Sequence, residues 1–183
     1  MRRLFVAALV YMIVGVSSGL FYRELTKHTG FPEGQFTQLS VAHTHLLTLG
    51  FIVLLIVLAL DKLFALSRSK LFGWFFWIYN VGLVITAAML IWHGVLTVLG
   101  QQSTAMIAGI AGIGHTLLTA AMVLLFLMLG KAIARERAVA DRAVENASTA
   151  DAALQAGAGS IQAGPGSIQA GAAEDGVPVV VAS

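Results

Sequence analysis

The stretch SVAHTHLLTLGFIVLLIVLAL, residues 40–60, decides the fold. None of its 21 residues is Asp, Glu, Lys or Arg, and a helix that crosses a bilayer needs about 20 predominantly apolar residues. Three further runs have the same character, at about residues 4–22, 71–99 and 106–130. The sequence therefore predicts an all-α protein in which residues 1–135 form a four-helix transmembrane bundle.

The composition argues against a soluble protein and against most enzyme classes. The chain of 183 residues is 58% hydrophobic and 11% charged, whereas soluble domains carry about 25% charged residues. The absence of cysteine excludes disulfides, thiolate metal sites and thiol catalysis. No span holds a nucleophile–base or carboxylate pair, and Asp61, beside Lys62 at the end of the second run, is expected to be solvated. Hydrolytic or transferase chemistry is not predicted, which leaves at most a redox role.

The first apolar run follows Arg2 and Arg3, a start that a cleaved signal peptide would share. We favour a retained helix, because apolar residues continue through Tyr22 without a small-x-small cleavage site. The polar segment 23–39 that follows contains Gly30, Pro32 and Gly34, and this composition predicts a loop.

The distribution of Lys and Arg predicts the orientation. If the N-terminus is inside, nine of these residues lie on the inner side and two, Arg23 and Lys27, lie on the outer side. Positive residues accumulate in cytoplasmic loops. We therefore predict a multi-pass protein of the bacterial inner membrane with both termini in the cytoplasm.

The last part of the chain has a different composition. Residues 131–155 are Ala-rich with mixed charge and predict a helix that extends from the fourth span into the cytoplasm. From residue 156 Gly, Ala, Ser and Gln dominate, and the hexapeptide GSIQAG occurs at 159–164 and again at 166–171. Such a segment buries too little apolar surface to fold, so 156–183 is predicted to be a disordered tail.

Four of the five histidines lie within the predicted spans: His43, His45, His93 and His115. Ionisable residues at membrane depth are costly and generally face the interior of a bundle, where they mark functional sites. With a rise of about 1.5 Å per residue, all four fall in one layer roughly 5–14 Å below the outer surface. Three helices of alternating direction therefore place histidine at one depth.

The positions around each helix restrict which histidines can meet. His43 and His45 are two residues apart, and thus about 200° apart around a helix, so they cannot face the same point. In the fourth span Ala108, Ala111 and Gly112 share a narrow small-residue face with His115. Small residues allow close helix contact, or leave a slot wide enough for a flat macrocycle.

Two interpretations of the histidines stay open. Either they form interhelical hydrogen bonds with Ser and Thr side chains, or their neutral imidazoles bind a metal, a role that suits iron, copper, zinc and nickel. For a b-type haem with two axial histidines, the pair is His115 with either His43 or His45. His93 and the remaining histidine would then form a second site or hydrogen-bond partners. Arg23 and Lys27 would bind haem propionates, or act as ordinary interfacial anchors.

The segment VAHTHLLTLGF, residues 41–51, resembles a family of small bacterial four-helix membrane proteins of unknown function, and the resemblance covers about residues 1–135. The His-x-His-x-x-x-x-Gly pattern is also distantly similar to the second helix of haem–copper oxidase subunit I. That second resemblance implies haem as the cofactor and His43 or His45 as a ligand. The chain has too few helices, and no copper-site triad on one helix, to reduce oxygen alone.

The sequence thus leaves three hypotheses for function. The first is a haem b protein that serves electron transfer, sensing or haem handling. The second is a copper or zinc binding or transport protein, and the third is a structural or accessory protein whose histidines only form hydrogen bonds. All three predict contact with the lipid bilayer and are compatible with a redox partner or a second copy of the chain, and none predicts binding to nucleic acid.

Overall fold

Four long helices make up the fold, as the sequence predicted. The computed structural model describes residues 1–102 and 104–162, with side chains described through Gln155. The helices are α1 (Arg2–Thr29), α2 (Gln38–Phe64), α3 (Lys70–Val98) and α4 (Ala105–Gln162), and a 3₁₀ turn at Leu66–Arg68 precedes α3. The described residues contain no strand, and each helix is long and apolar enough to cross a membrane. The all-α, four-helix prediction is confirmed.

Helix α1 continues well into the segment that was predicted to be a loop. It ends at Gly30, which has a left-handed conformation with φ 62°. The Gly30 N–H donates to Lys27 O and the Phe31 N–H to Thr26 O, the two bonds of a Schellman cap. The predicted loop 23–39 is therefore too long at its start, because its first residues are good helix formers and glycine first breaks the helix at position 30.

The start of α2 is held against the end of α3 by Thr37. Its hydroxyl accepts the Leu39 N–H at 3.4 Å and donates to Gly94 O at 3.1 Å. A Cβ atom at Gly94 would collide with the backbone nitrogen of Leu39. Glycine at this position therefore lets the two helices touch through their backbones.

Helix α2 changes its winding immediately after His45. Residues Leu46–Val53 form a π-helix between two α-helical segments, Gln38–His45 and Leu54–Phe64. The Tyr79 hydroxyl of α3 donates to Leu49 O at 2.9 Å. In lipid each backbone polar group needs a partner within the protein, so Tyr79 stabilises the altered winding. The sequence does not indicate this π-helix.

Asp61 is buried, not solvated as predicted. Its exposed fraction is 0%, and its carboxylate accepts the Ser67 N–H at 2.6 Å. The other carboxylate oxygen lies 3.6 Å from the amino group of Met1. The turn after α2 passes through Ala65 in the left-handed region, with φ 50°, and thereby brings the backbone N–H of Ser67 onto the carboxylate. The adjacent charge of Lys62 suggested that Asp61 is exposed to solvent. Asp61 is instead buried, because the turn supplies a backbone N–H to its carboxylate.

Helices α3 and α4 cross at a pair of glycines. A Cβ at Gly82 would lie 3.0 Å from Gly114 O, and a Cβ at Gly114 would lie 3.0 Å from Gly82 O. A Cβ at Gly114 would also collide with the hydroxyl of Thr86, which is fully buried. The backbones of the two helices are therefore in contact one residue before His115.

The chain divides into two compact units, Met1–Arg137 and Ala138–Ser183. In the second unit residues 138–155 are helical and exposed, and hydrogen bonds such as Gln155 to Asp151 stay within one helical turn. The helix is described through Gln162, seven residues beyond the predicted boundary at 155. Alanines at 156 and 158 favour this extension. The rest of the predicted disordered tail, 163–183, lies outside the described residues.

Candidate haem or metal centre

His45 of α2 and His115 of α4 lie next to each other. Their ring centroids are 6.2 Å apart, and the ring planes meet at 78°. His45 is partly buried, whereas His115 is exposed on the surface of this chain. The second and fourth helices therefore bring together one histidine each.

Both rings are oriented by their own helices. The Nδ1 atom of His45 lies 3.0 Å from Val41 O, and that of His115 lies 2.9 Å from Ala111 O. A carbonyl oxygen only accepts, so Nδ1 carries the proton in each hydrogen bond. In the neutral ring Nε2 then holds a free lone pair, which is the usual arrangement of a metal-binding histidine.

His43 points to the opposite side of α2, as the spacing of two residues predicts. Its ring is stacked with that of Tyr22 of α1, with centroids 6.5 Å apart and an interplanar angle of 13°. It also lies over Gly19, where a Cβ would be 3.7 Å from the imidazole. The Nδ1 atom is buried without a hydrogen-bond partner. His43 therefore contacts α1, while His45 faces α4.

His93 lies on α3 and forms no metal-binding group with His45 and His115. Its Nδ1 is also buried without a hydrogen-bond partner, and its backbone carbonyl accepts the hydroxyl of Thr97 at 3.0 Å. Within residues 1–102 and 104–162, the structure holds no group of three or more His, Asp or Glu side chains that could bind one metal ion. Of the predicted histidine layer, the structure therefore shows one pair, His45 with His115.

Arg23 and Lys27 lie beside a polar cavity of about 650 Å³ at the end of α1. Tyr22, whose ring stacks on His43, lines the same cavity. The Arg23 Nε lies 3.8 Å from Glu24 Oε1, and both side chains are largely exposed. Arg23 directly follows Tyr22, the residue that stacks on His43, and the predicted role of Arg23 as a propionate partner stays a prediction.

Four membrane-crossing helices with histidines inside them define a class, the small polytopic membrane proteins. Residues 1–132 match a family described as a protein of unknown function (DUF2871), and the chain belongs to that family. This agrees with the first resemblance. Neither the curated proteins nor the solved structures give a match. The similarity of the second span to haem–copper oxidase subunit I is not shown by any of these comparisons.

The two backbone hydrogen bonds that orient the rings were not predicted from the sequence. Both run from a histidine to the carbonyl four residues earlier, a contact open to any helical histidine in a suitable rotamer. The sequence does not specify which rotamer each ring takes, so it carried no signal for these two bonds. The small face of α4 was predicted, and a Cβ at Gly109 or Gly112 would meet nothing within 4 Å.

Proposed function

We propose that this chain binds a b-type haem in the membrane through His45 and His115, and that it serves electron transfer, sensing or haem handling. The proposal rests on one observation: the rings of His45 and His115 are neighbours, and the Nδ1 atom of each forms a hydrogen bond with a backbone carbonyl of its own helix. Both Nε2 atoms would then be available as neutral ligands for a haem iron.

The distance between the rings is compatible with one metal ion between them. One ion can bond both imidazoles only if the two rings lie close together. The observed separation is 6.2 Å. A bound haem would supply an iron that changes oxidation state, while the two helices orient its ligands.

The observed hydrogen bonds argue against the purely structural hypothesis. That hypothesis requires interhelical bonds from the histidines, yet the Nδ1 bonds of His45 and His115 stay within α2 and α4. A structural zinc site is also a poor fit, because it needs four ligands and the described residues bring only two histidines together here.

An absorption spectrum of the detergent-purified chain, combined with metal analysis of the same sample, tests the proposal. We expect a Soret band and a sharp α-band in the reduced state. The metal analysis should find about one iron per chain. Copper or zinc in place of iron would favour a metal transport or binding role. No cofactor from haem-replete cells would contradict the proposal.

We further infer that both termini lie in the cytoplasm of a bacterial inner membrane. The support is the nine-to-two distribution of Lys and Arg. Reporter fusions after Gln101 should report the outer side, and fusions after Ser69 or Lys131 the cytoplasm. A cytoplasmic signal at Gln101 would reverse the orientation and move the histidines to the inner leaflet.

A further inference from the structure

We propose that a groove between α1 and α3 binds an isoprenoid quinone dissolved in the membrane. The groove has a volume of about 400 Å³ and reaches down to Leu46 of α2. Most of its lining is apolar, and the exceptions are Tyr11 of α1 and Asn80 of α3. Its walls include Val10, Val84 and Ala88, so a ligand would enter it sideways from the lipid.

Asn80 is the feature that requires a ligand with a polar atom. Its Oδ1 accepts the Tyr11 hydroxyl at 2.9 Å, and its Nδ2 donates to Phe76 O at 2.7 Å. A carboxamide has two N–H donors and two acceptor lone pairs, so one N–H and one lone pair remain. Asn80 is only partly buried. Leaving these groups unpaired against hydrocarbon is unfavourable.

The depth of this pair selects the class of ligand. At about 1.5 Å per residue, Asn80 lies roughly 15 Å along α3 and Tyr11 roughly 14 Å along α1, near the middle of a core about 30 Å thick. Phospholipid headgroups and ester groups stay near the interface and do not reach this depth. A quinone carries ring carbonyls on an apolar body, and one carbonyl would accept the free N–H of Asn80.

One residue of the groove is a direct sequence neighbour of a histidine of the pair. Leu46 lines the groove, and His45 is the residue directly before it in the sequence. A quinone in the groove would lie beside the helical turn that carries this histidine. The binding proposal does not depend on haem, since none of the groove residues belongs to the proposed haem site.

Binding of labelled 2-decyl-1,4-benzoquinone to the full-length chain in detergent micelles tests the inference. We expect saturable binding in both haem-loaded and haem-free protein. Decylbenzene, which has the same chain and ring size without carbonyls, should compete poorly. Equal competition by decylbenzene would show that the groove only takes up hydrocarbon, and would overturn the proposal.

Two variants separate recognition by Asn80 from simple filling of space. Asn80→Leu keeps a similar volume and should weaken quinone binding by about 3- to 10-fold, the effect of one hydrogen bond. Val84→Phe should block the groove and abolish binding. Val123→Phe on α4 is its matched control, because the exposed fractions of the two valines are 55% and 54%. Unchanged binding in both Asn80→Leu and Val84→Phe, or loss in Val123→Phe, would contradict the assignment.

Discussion

Replacing His115 with Ala is expected to abolish the six-coordinate, low-spin spectrum of the purified chain. His115 would supply one of the two Nε2 lone pairs that hold the haem iron, and its loss would leave the iron with a single histidine ligand. The affinity loss should exceed the roughly 10–100-fold that is typical when a partner of a ligand is removed. Reduced-minus-oxidised spectra and a haem titration of the apoprotein measure both effects.

His45→Ala should give the same result as His115→Ala, and His43→Ala is the matched control. His43 is two residues away on the same helix, but its ring stacks on Tyr22 of α1. His43→Ala and His93→Ala should therefore retain the two axial ligands and the low-spin spectrum. The pairing is wrong if His43→Ala, and not His45→Ala, removes the spectrum.

The sequence predicted that His43 and His45 point to different sides of α2, but it did not predict which of them faces α4. The angle of about 200° follows from the helix repeat alone. The rotation of α2 in the bundle depends on close contacts with α1, where a Cβ at Gly50 would lie 2.5 Å from the ring of Tyr11. Glycine spacing indicates that such contacts exist, but it does not identify the residues they meet.

The features that the sequence did not predict depend on contacts between distant residues. The π-helix after His45 has a partner in Tyr79, 30 residues away from Leu49 in the sequence. The sequence around Leu46–Val53 reads as an ordinary apolar helix, because its local propensity does not distinguish the two windings. Asp61 was misjudged for a related reason, since its partner is a backbone N–H exposed only by the turn that follows.

Gly114→Ala is expected to destabilise the bundle and to displace His115, whereas Gly112→Ala should do neither. A methyl group at Gly114 would collide with the Thr86 hydroxyl and lie 2.9 Å from the Thr86 backbone nitrogen. Backbone cannot move aside as a side chain does, so α4 must shift away from α3, at a cost of about 1–3 kcal/mol.

Gly112 is the matched control on the same helix, because a Cβ there meets nothing within 4 Å. Its replacement should be neutral or stabilising by up to about 1 kcal/mol, since Ala favours a helix over Gly. Thermal unfolding in detergent measures stability, and the haem titration reports whether His115 still reaches its partner. Because His115 follows Gly114 directly, a shift of α4 should lower the Tm and the haem affinity together. Equal Tm values for Gly114→Ala and Gly112→Ala would show that α3 and α4 are not in contact at Gly82 and Gly114.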